Sequence, residues 1–270
     1  AQDVPTIHFT WQGGEPTLRG LDFYRRAVAL QKKYARGKTI KNAIQTNATL
    51  LDDEWGAFLA ENDFLVGVSI DGPPRLHNTY RFGRAHTPSH DRVLAGIEVL
   101  KGHGVRFNTL TCVTSKNADC PLKVYRHLKE IGAEYLQFIP VVERRPTESE
   151  RCEGLEFSRP PTPLGGSFTE VTPFSVSPGK FGCFLTAIFD EWVRRDVGRV
   201  FVNSFDNALE YWAGMSPTQC VYRETCGKAM VIEQDGSLYS CDHFVYSSHK
   251  LGNIHETPLR EMVDSPRQHA

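Results

Sequence analysis

The sequence has no long apolar run, and none of its hydrophobic stretches approaches the roughly 20 residues of a membrane-spanning helix. It also lacks a charge surplus, because 31 Lys and Arg residues balance 32 Asp and Glu residues without any block of like charge. Binding to nucleic acid or to an anionic membrane through net charge requires a basic surplus. We therefore predict neither a nucleic-acid-binding protein nor a membrane protein.

Disulfide staples are not expected either. Seven cysteines are an odd number in a chain of 270 residues, which is long enough to bury a core without them. Free or metal-bound thiols in a reducing, cytoplasmic compartment fit this composition. Cys112 lies in a strand pattern and is interpreted as a small core residue. The remaining cysteines without a partner at metal-ligand spacing are Cys120, Cys152 and Cys183.

The ends of the chain look cut. The first residue is Ala1 rather than Met, a strand pattern starts at residue 5, and the last residues stop just after a short helical pattern. We expect a fragment of a longer protein, so a motif that is missing here carries little weight.

The first half of the chain alternates between strand and helix patterns. Strands are predicted at 5–11, 39–46, 64–70, 105–113 and 134–142. Helices are predicted between them at 20–35, 52–62, 89–102 and 120–131. This alternation implies an α/β fold with parallel βαβ units, which either a barrel or an open doubly wound sheet would satisfy.

The pattern changes after residue 142. Residues 143–178 are rich in Pro, Gly, Ser, Thr and charge, and so long a loop is usually functional or mobile. A helix with an apolar stripe follows from Phe181 to Trp192, and a shorter one is predicted at 204–213. Two short strands around an Asp-Gly turn at 235–236 then start a small module. We divide the chain into 1–142, 143–215 and 216–270.

Two polar segments follow predicted strands, at the edge where parallel α/β proteins place their active sites. Gly13, Gly14 and Glu15 come after the first strand, where glycines would admit a ligand to the backbone and the carboxylate would suit a cationic amine. Ser69 ends the third strand, and Arg81 downstream is able to hold a carboxylate with two hydrogen bonds. Each segment, taken alone, would also fit an ordinary turn.

The strongest chemical signal is a set of three cysteines near the C-terminal end of the sequence. Cys220 and Cys226 precede the Asp-Gly turn, and Cys241 follows it. Three thiolates on short, turn-rich structure are typical ligands of an iron–sulfur cluster. Zinc with His243 would also fit, as would three unrelated buried thiols. Asp242 beside Cys241 is a candidate base, or an ordinary turn residue.

These motifs together resemble the anaerobic sulfatase-maturating enzymes. The resemblance covers residues 5–264, and it rests on the segments Gln12–Leu18, Gln45–Asn47, Ser69–Pro73, Leu136–Ile139, Ile188–Val193 and Cys241–His243. Members of that family are radical S-adenosylmethionine (SAM) enzymes with a C-terminal SPASM domain for auxiliary clusters. The resemblance implies a partial (β/α)6 TIM-like barrel followed by the start of a SPASM module.

The resemblance also implies roles for individual residues. Positions that match cofactor contacts are Gly14, Glu15, Ser69, Arg81 and Val142, the last through its backbone. Positions that match ligands of an auxiliary 4Fe–4S cluster are Cys220, Cys226 and Cys241. Asp242 matches the proton acceptor of the reaction.

The implied reaction oxidises an active-site Cys or Ser of a sulfatase to Cα-formylglycine. A radical made from SAM would remove a hydrogen from the side-chain Cβ, and the remaining electron would leave through an auxiliary cluster. Implied partners are the sulfatase polypeptide and an electron donor such as flavodoxin or ferredoxin. We also expect the long segment 143–178 to shape a groove for the peptide.

The sequence departs from the family pattern in three ways. The Cys-x3-Cys-x2-Cys signature of the SAM-cleaving cluster is absent, and so are the later auxiliary ligands, so we expect the fragment alone to be inactive. Ala48 replaces the usual Gly, which is tolerable if the backbone angle there is not left-handed. Two other interpretations stay open: a different SPASM peptide-modifying enzyme, and a zinc-stabilised binding protein without catalysis.

Overall fold

The computed structural model describes residues 4–158, 170–224 and 229–269. The chain divides into two compact units, Val4–Phe205 and Asp206–Ala270. No helix in the described parts of the chain combines the length and the apolar character that crossing a membrane requires.

The larger unit is built on a parallel sheet of six strands. These are β1 (Thr6–Trp11), β2 (Thr39–Thr46), β3 (Leu65–Ser69), β4 (Phe107–Val113), β5 (Tyr135–Pro140) and β6 (Phe201–Val202). They lie side by side in sequence order. Right-handed crossovers in one direction place every connecting helix on the same face, as in a barrel. A doubly wound sheet needs a reversal of strand order, and the six described strands contain none.

The helices of this unit follow the predicted alternation. They are α1 (Leu21–Tyr34), α2 (Asp53–Glu61), α3 (Pro74–His77), α4 (His90–Gly102), α5 (Pro121–Glu130), α6 (Glu148–Cys152) and α7 (Pro178–Arg195). A further helix, α8 (Asn203–Trp212), follows β6 and crosses the boundary between the two units at residue 206. Local capping explains several of the boundaries. The Asp52 carboxylate accepts a hydrogen bond from the Trp55 amide at the start of α2, and Pro178 opens α7 after its cap Ser177.

The core lies between the sheet and the helices. Its largest fully buried side chains include Tyr24, Phe64, Ile97, Leu100, Tyr125, Phe184 and Ile188. The predicted elements are confirmed to within a few residues, because periodic apolar positions mark the buried faces of long elements. The two-residue β6 and the short helices α3 and α6 were not predicted, since such short elements show no periodicity.

The smaller unit contains an antiparallel sheet of β7 (Val231–Ile232), β8 (Ser237–Tyr239) and β9 (Lys250–Asn253). The predicted hairpin is confirmed, and Gly236 makes its turn with a φ of 81°. β9 and the two closing helices, α9 (Leu259–Val263) and α10 (Pro266–His269), were not predicted. Leu238 and Met262 are buried apolar side chains of this unit.

Candidate cofactor site at the carboxyl ends of the strands

The loop after β1 presents bare backbone. Gly13 and Gly14 have φ values of 94° and 55°, a region that side chains with a Cβ rarely adopt. No atom lies within 4 Å of where a Cβ would stand at either position. Glycine is therefore required here by backbone conformation, and the space beside both peptide groups is open to a ligand.

Glu15 ties this loop to the end of β2. Its Oε1 accepts hydrogen bonds from the Thr17 amide (3.1 Å) and the Thr17 hydroxyl (2.6 Å). The hydroxyl of Thr46 donates to the same oxygen at 2.7 Å, and the amide of Asn47 donates to Oε2 at 2.7 Å. Three protein donors thus bond Oε1 and one bonds Oε2, which occupies most of the acceptor positions of the carboxylate. Glu15 thus joins the loops after β1 and β2 by hydrogen bonds. Its expected contact with a cationic amine stays a prediction.

Ala48, the residue after Asn47, lies in the left-handed region of backbone angles, with a φ of 57°. From the sequence we expected Ala48 to be tolerated if its backbone angle were not left-handed. The angle is left-handed, so that condition is not met. The strain at a residue with a Cβ is about 1 kcal/mol. Ala48 is fully buried, and it packs so closely that a Cβ at Gly96 would lie 2.1 Å from its carbonyl oxygen.

Ser69 is oriented by its neighbour on β2. The amide group of Gln45 donates to the Ser69 hydroxyl at 3.0 Å. Gln45 has room to do so because Gly67 stands opposite it in the β2–β3 register. A Cβ at Gly67 would lie 2.0 Å from the side-chain oxygen of Gln45. The glycine in β3 therefore permits the polar contact that sets the Ser69 hydroxyl.

Arg81 is held in a half-buried ion pair rather than on the surface. Its Nε donates to the Asp71 carboxylate at 2.5 Å, and its Nη2 donates to Cys112 Sγ at 3.3 Å. The other Asp71 oxygen accepts from the Cys112 amide at 2.8 Å. Burial lowers the pKa of Arg81, but the charge and hydrogen bond of Asp71 outweigh it and raise the pKa overall. The interpretation of Cys112 as a plain core residue was wrong in this respect, because its sulfur contacts the guanidinium.

A cavity of about 200 Å³ lies beside Ser69 and Arg81. It also exposes Arg92, which the sequence interpretation missed. Arg92 stands in the first turn of α4 and donates to the Thr49 carbonyl at 3.2 Å. A cation is unfavourable near a helix N-terminus, so its presence in that turn was the available signal. The cavity thus has two guanidinium groups and a hydroxyl, which suit a carboxylate.

Val142 lies just beyond β5 and is 57% exposed. The preceding residue, Val141, donates its amide to the Val113 carbonyl at 2.9 Å, which fixes the chain beyond the ends of β4 and β5. The predicted backbone contact of Val142 with a cofactor stays a prediction.

The cysteine set lies in the smaller unit. Cys220 is exposed and Cys241 is half-buried, and Cys226 lies outside the described residues. Burial raises the pKa of the Cys241 thiol, which donates to Asp242 Oδ1 at 3.3 Å, and the nearby Asp242 and Cys220 raise it further. The described residues contain no group of three His, Cys, Asp or Glu side chains placed to hold a metal ion. The predicted ligand set needs Cys226 to be complete.

Two family models match different parts of the chain. The model of the radical SAM superfamily matches residues 1–128, and the model of an iron–sulfur cluster-binding domain, SPASM, matches residues 220–270. The fold and the site therefore define a radical SAM barrel followed by a SPASM module.

Relatives narrow the class further. A serine-type anaerobic sulfatase-maturating enzyme of Bacteroides thetaiotaomicron is 48% identical over 269 residues, covering 100% of this chain and 64% of that protein. A cysteine-type enzyme of Clostridium novyi is 35% identical over 263 residues, covering 95% of this chain and 64% of that protein. The structure of native anSMEcpe with bound AdoMet and Cp18Cys peptide is 34% identical, with a TM-score of 0.85 over 99% of this chain and 70% of that one.

The chain belongs to the family of anaerobic sulfatase-maturating enzymes. It spans 64% of the length of both curated relatives.

Proposed function

We propose that the protein containing this chain oxidises an active-site Cys or Ser of a sulfatase to Cα-formylglycine by radical SAM chemistry. The observation that carries the proposal is the 48% identity to a serine-type maturase along 100% of the chain. Both serine-type and cysteine-type maturases occur among the relatives, so the proposal includes both target residues.

The residues at the carboxyl ends of the strands fit a bound SAM. The open backbone at Gly14 would accept the methionine end, with Glu15 holding the loop in place. Ser69, Arg81 and Arg92 line the neighbouring cavity and would bind the cofactor carboxylate. When bound, SAM and its 4Fe–4S cluster supply the one-electron chemistry that removes a hydrogen from the substrate Cβ.

The smaller unit would supply the second half of the oxidation. We assign Cys220, Cys226 and Cys241 to an auxiliary 4Fe–4S cluster that takes the remaining electron. Asp242, which follows Cys241 directly in the sequence, would accept the proton of the substrate thiol or hydroxyl. Flavodoxin or ferredoxin in the cytoplasm would serve as electron donor.

The proposed division of labour follows the sequence. Residues 1–142 would form the SAM-binding barrel, 143–215 would complete and link it, and 216–270 would begin the SPASM module. Segment 143–178 would shape the groove for the sulfatase peptide. Shortening this segment should weaken peptide binding, and an unchanged affinity would contradict the groove assignment.

The test is to incubate the full-length protein without oxygen, with SAM, a reductant and a sulfatase-motif peptide. Mass spectrometry should find formylglycine at the target Cys or Ser, and Asp242→Asn should cleave SAM but form far less of it. A change at another residue would indicate a different SPASM peptide-modifying enzyme. Zinc in place of iron and sulfide, without SAM binding, would indicate the non-catalytic binding protein.

A further inference from the structure

His77 is buried, with 1% of its surface exposed, and it joins the two residues of the Asp71–Arg81 ion pair. Its Nδ1 accepts a hydrogen bond from the Asp71 amide at 3.2 Å. Its Nε2 lies 3.0 Å from the Ser89 hydroxyl oxygen, and that hydroxyl donates to the Arg81 carbonyl at 2.9 Å. One continuous chain of hydrogen bonds therefore runs from the backbone of residue 71 to the backbone of residue 81.

This chain has only one consistent direction. Because Nδ1 accepts from a backbone amide, the ring proton must be on Nε2, which then donates to Ser89. The Ser89 hydroxyl uses its own proton for the Arg81 carbonyl. A doubly protonated ring would lose its acceptor at Nδ1 and break the first bond. Burial, followed by the charge of Arg81, lowers the pKa of His77 to about 3 and keeps the ring neutral.

Asn78, the residue after His77, supports the backbone that carries the second guanidinium of the cavity, that of Arg92. The side-chain oxygen of Asn78 accepts hydrogen bonds from the amides of Ser89 (3.0 Å) and His90 (3.1 Å). These bonds fix the start of α4, which carries Arg92 in its first turn. The pair His77-Asn78 therefore anchors the backbone beneath both arginines that line the cavity.

We propose that His77, whose ring lines the same cavity, is a positioning residue of the cofactor site that holds Asp71 and Arg81 in place through Ser89. The proposal rests on the assignment of the cavity to SAM made above. Without the ring, the chain of hydrogen bonds between the Asp71 amide and the Arg81 carbonyl is broken. The guanidinium would keep its ion pair with Asp71, but the backbone on both sides of that pair would be less firmly fixed beside Ser69.

The first test measures SAM cleavage by the full-length protein. His77→Ala should raise the half-saturating SAM concentration about tenfold while changing the maximal rate less than about twofold. His77→Asn retains an acceptor near Nδ1, and His77→Gln reaches towards Ser89, so both should fold and show intermediate affinities. Ser89→Ala should raise the same concentration, and its effect should not add to that of His77→Ala.

The matched control is His127→Gln. The Nε2 of His127 lies 3.0 Å from that of His90, whose ring packs against His77, but among the described residues His127 makes no hydrogen bond to Asp71, Ser89 or Arg81. It should lower stability without changing the half-saturating SAM concentration. Equal effects of the His77 and His127 variants, or additive effects of His77 and Ser89 variants, would overturn the proposal.

A second test needs no cofactor. Side-chain nitrogen NMR of the full-length protein at pH 5 should show His77 as the neutral tautomer with its proton on Nε2. A protonated His77 at that pH would overturn the positioning role. If the wild-type protein shows this tautomer but neither binds nor cleaves SAM, the proposed function fails while the hydrogen-bond chain stands.

Discussion

The carboxylate of Glu15 accepts a hydrogen bond from the backbone amide of Asn47 at 2.7 Å, which joins the loop after β1 to the loop after β2. The bare backbone of Gly13 and Gly14 is thereby held against the edge of the sheet. This residue of the cofactor motif thus has a role within the protein, and its contact with a ligand stays a prediction.

Replacing the Glu15 carboxylate should weaken the connection between the loops after β1 and β2. In Glu15→Gln one oxygen becomes an NH2 group, which cannot accept from Asn47 or from Thr17. We expect a loss of about 2 kcal/mol in unfolding free energy and weaker SAM binding, since bonds to a charged acceptor contribute about that much. Chemical denaturation measures the loss. Glu54→Gln, which affects only an exposed pair with Arg25, is the control and should be nearly neutral.

Gly67 should be much less tolerant of a methyl group while Gln45 is present, although the Asn108 side-chain oxygen would also lie 3.2 Å from the new Cβ. We expect Gly67→Ala to cost about 1–3 kcal/mol, because the new Cβ would overlap the Gln45 side chain. In a Gln45→Ala background the same change should cost much less. Gly102→Ala, at a position with no atom within 4 Å of a Cβ, is the control. Equal costs of Gly67→Ala in both backgrounds would refute this packing.

Stability should fall in acid because of His77. Its pKa is near the usual 6.5 in the unfolded chain and about 3 in the folded protein. Between these values the unfolded state binds a proton that the folded state excludes, so unfolding free energy decreases as pH falls, by at most about 1.4 kcal/mol per pH unit. Denaturation of wild type and His77→Gln from pH 7 to 4 measures the difference. Parallel pH curves would contradict the prediction.

Removing a proposed auxiliary ligand should remove iron. Cys241→Ala in the full-length protein should lower iron and acid-labile sulfide by about four atoms each, the content of one 4Fe–4S cluster. SAM cleavage should be retained in part, because the barrel does not depend on this thiol. Cys183→Ser, on the exposed surface of α7, is the control and should leave the metal content unchanged. Iron loss equal in both variants would refute the ligand assignment.

Part of the site was predictable because each motif follows a strand directly. The strand and helix periods located β1 to β5, and polar residues at their ends marked the edge where Gly14 and Ser69 lie. Arg92 was missed because it looks like an ordinary helix residue, and only packing brings it to the cavity beside Ser69. Cys112 was misread because its contact with Arg81 joins residues 31 positions apart.

The sequence alone determined the α/β class, the hairpin at Gly236 and the resemblance to a maturase family, since these depend on local periodicity, turn chemistry and short motifs. Tertiary structure decided the sequential strand order, the engagement of the Glu15 carboxylate, the partners of Arg81 and the left-handed backbone at Ala48. The physical reason is the separation along the sequence of the residues that interact. A local pattern fixes which face of an element is apolar, whereas a buried charge takes the partner that folding brings within hydrogen-bond distance.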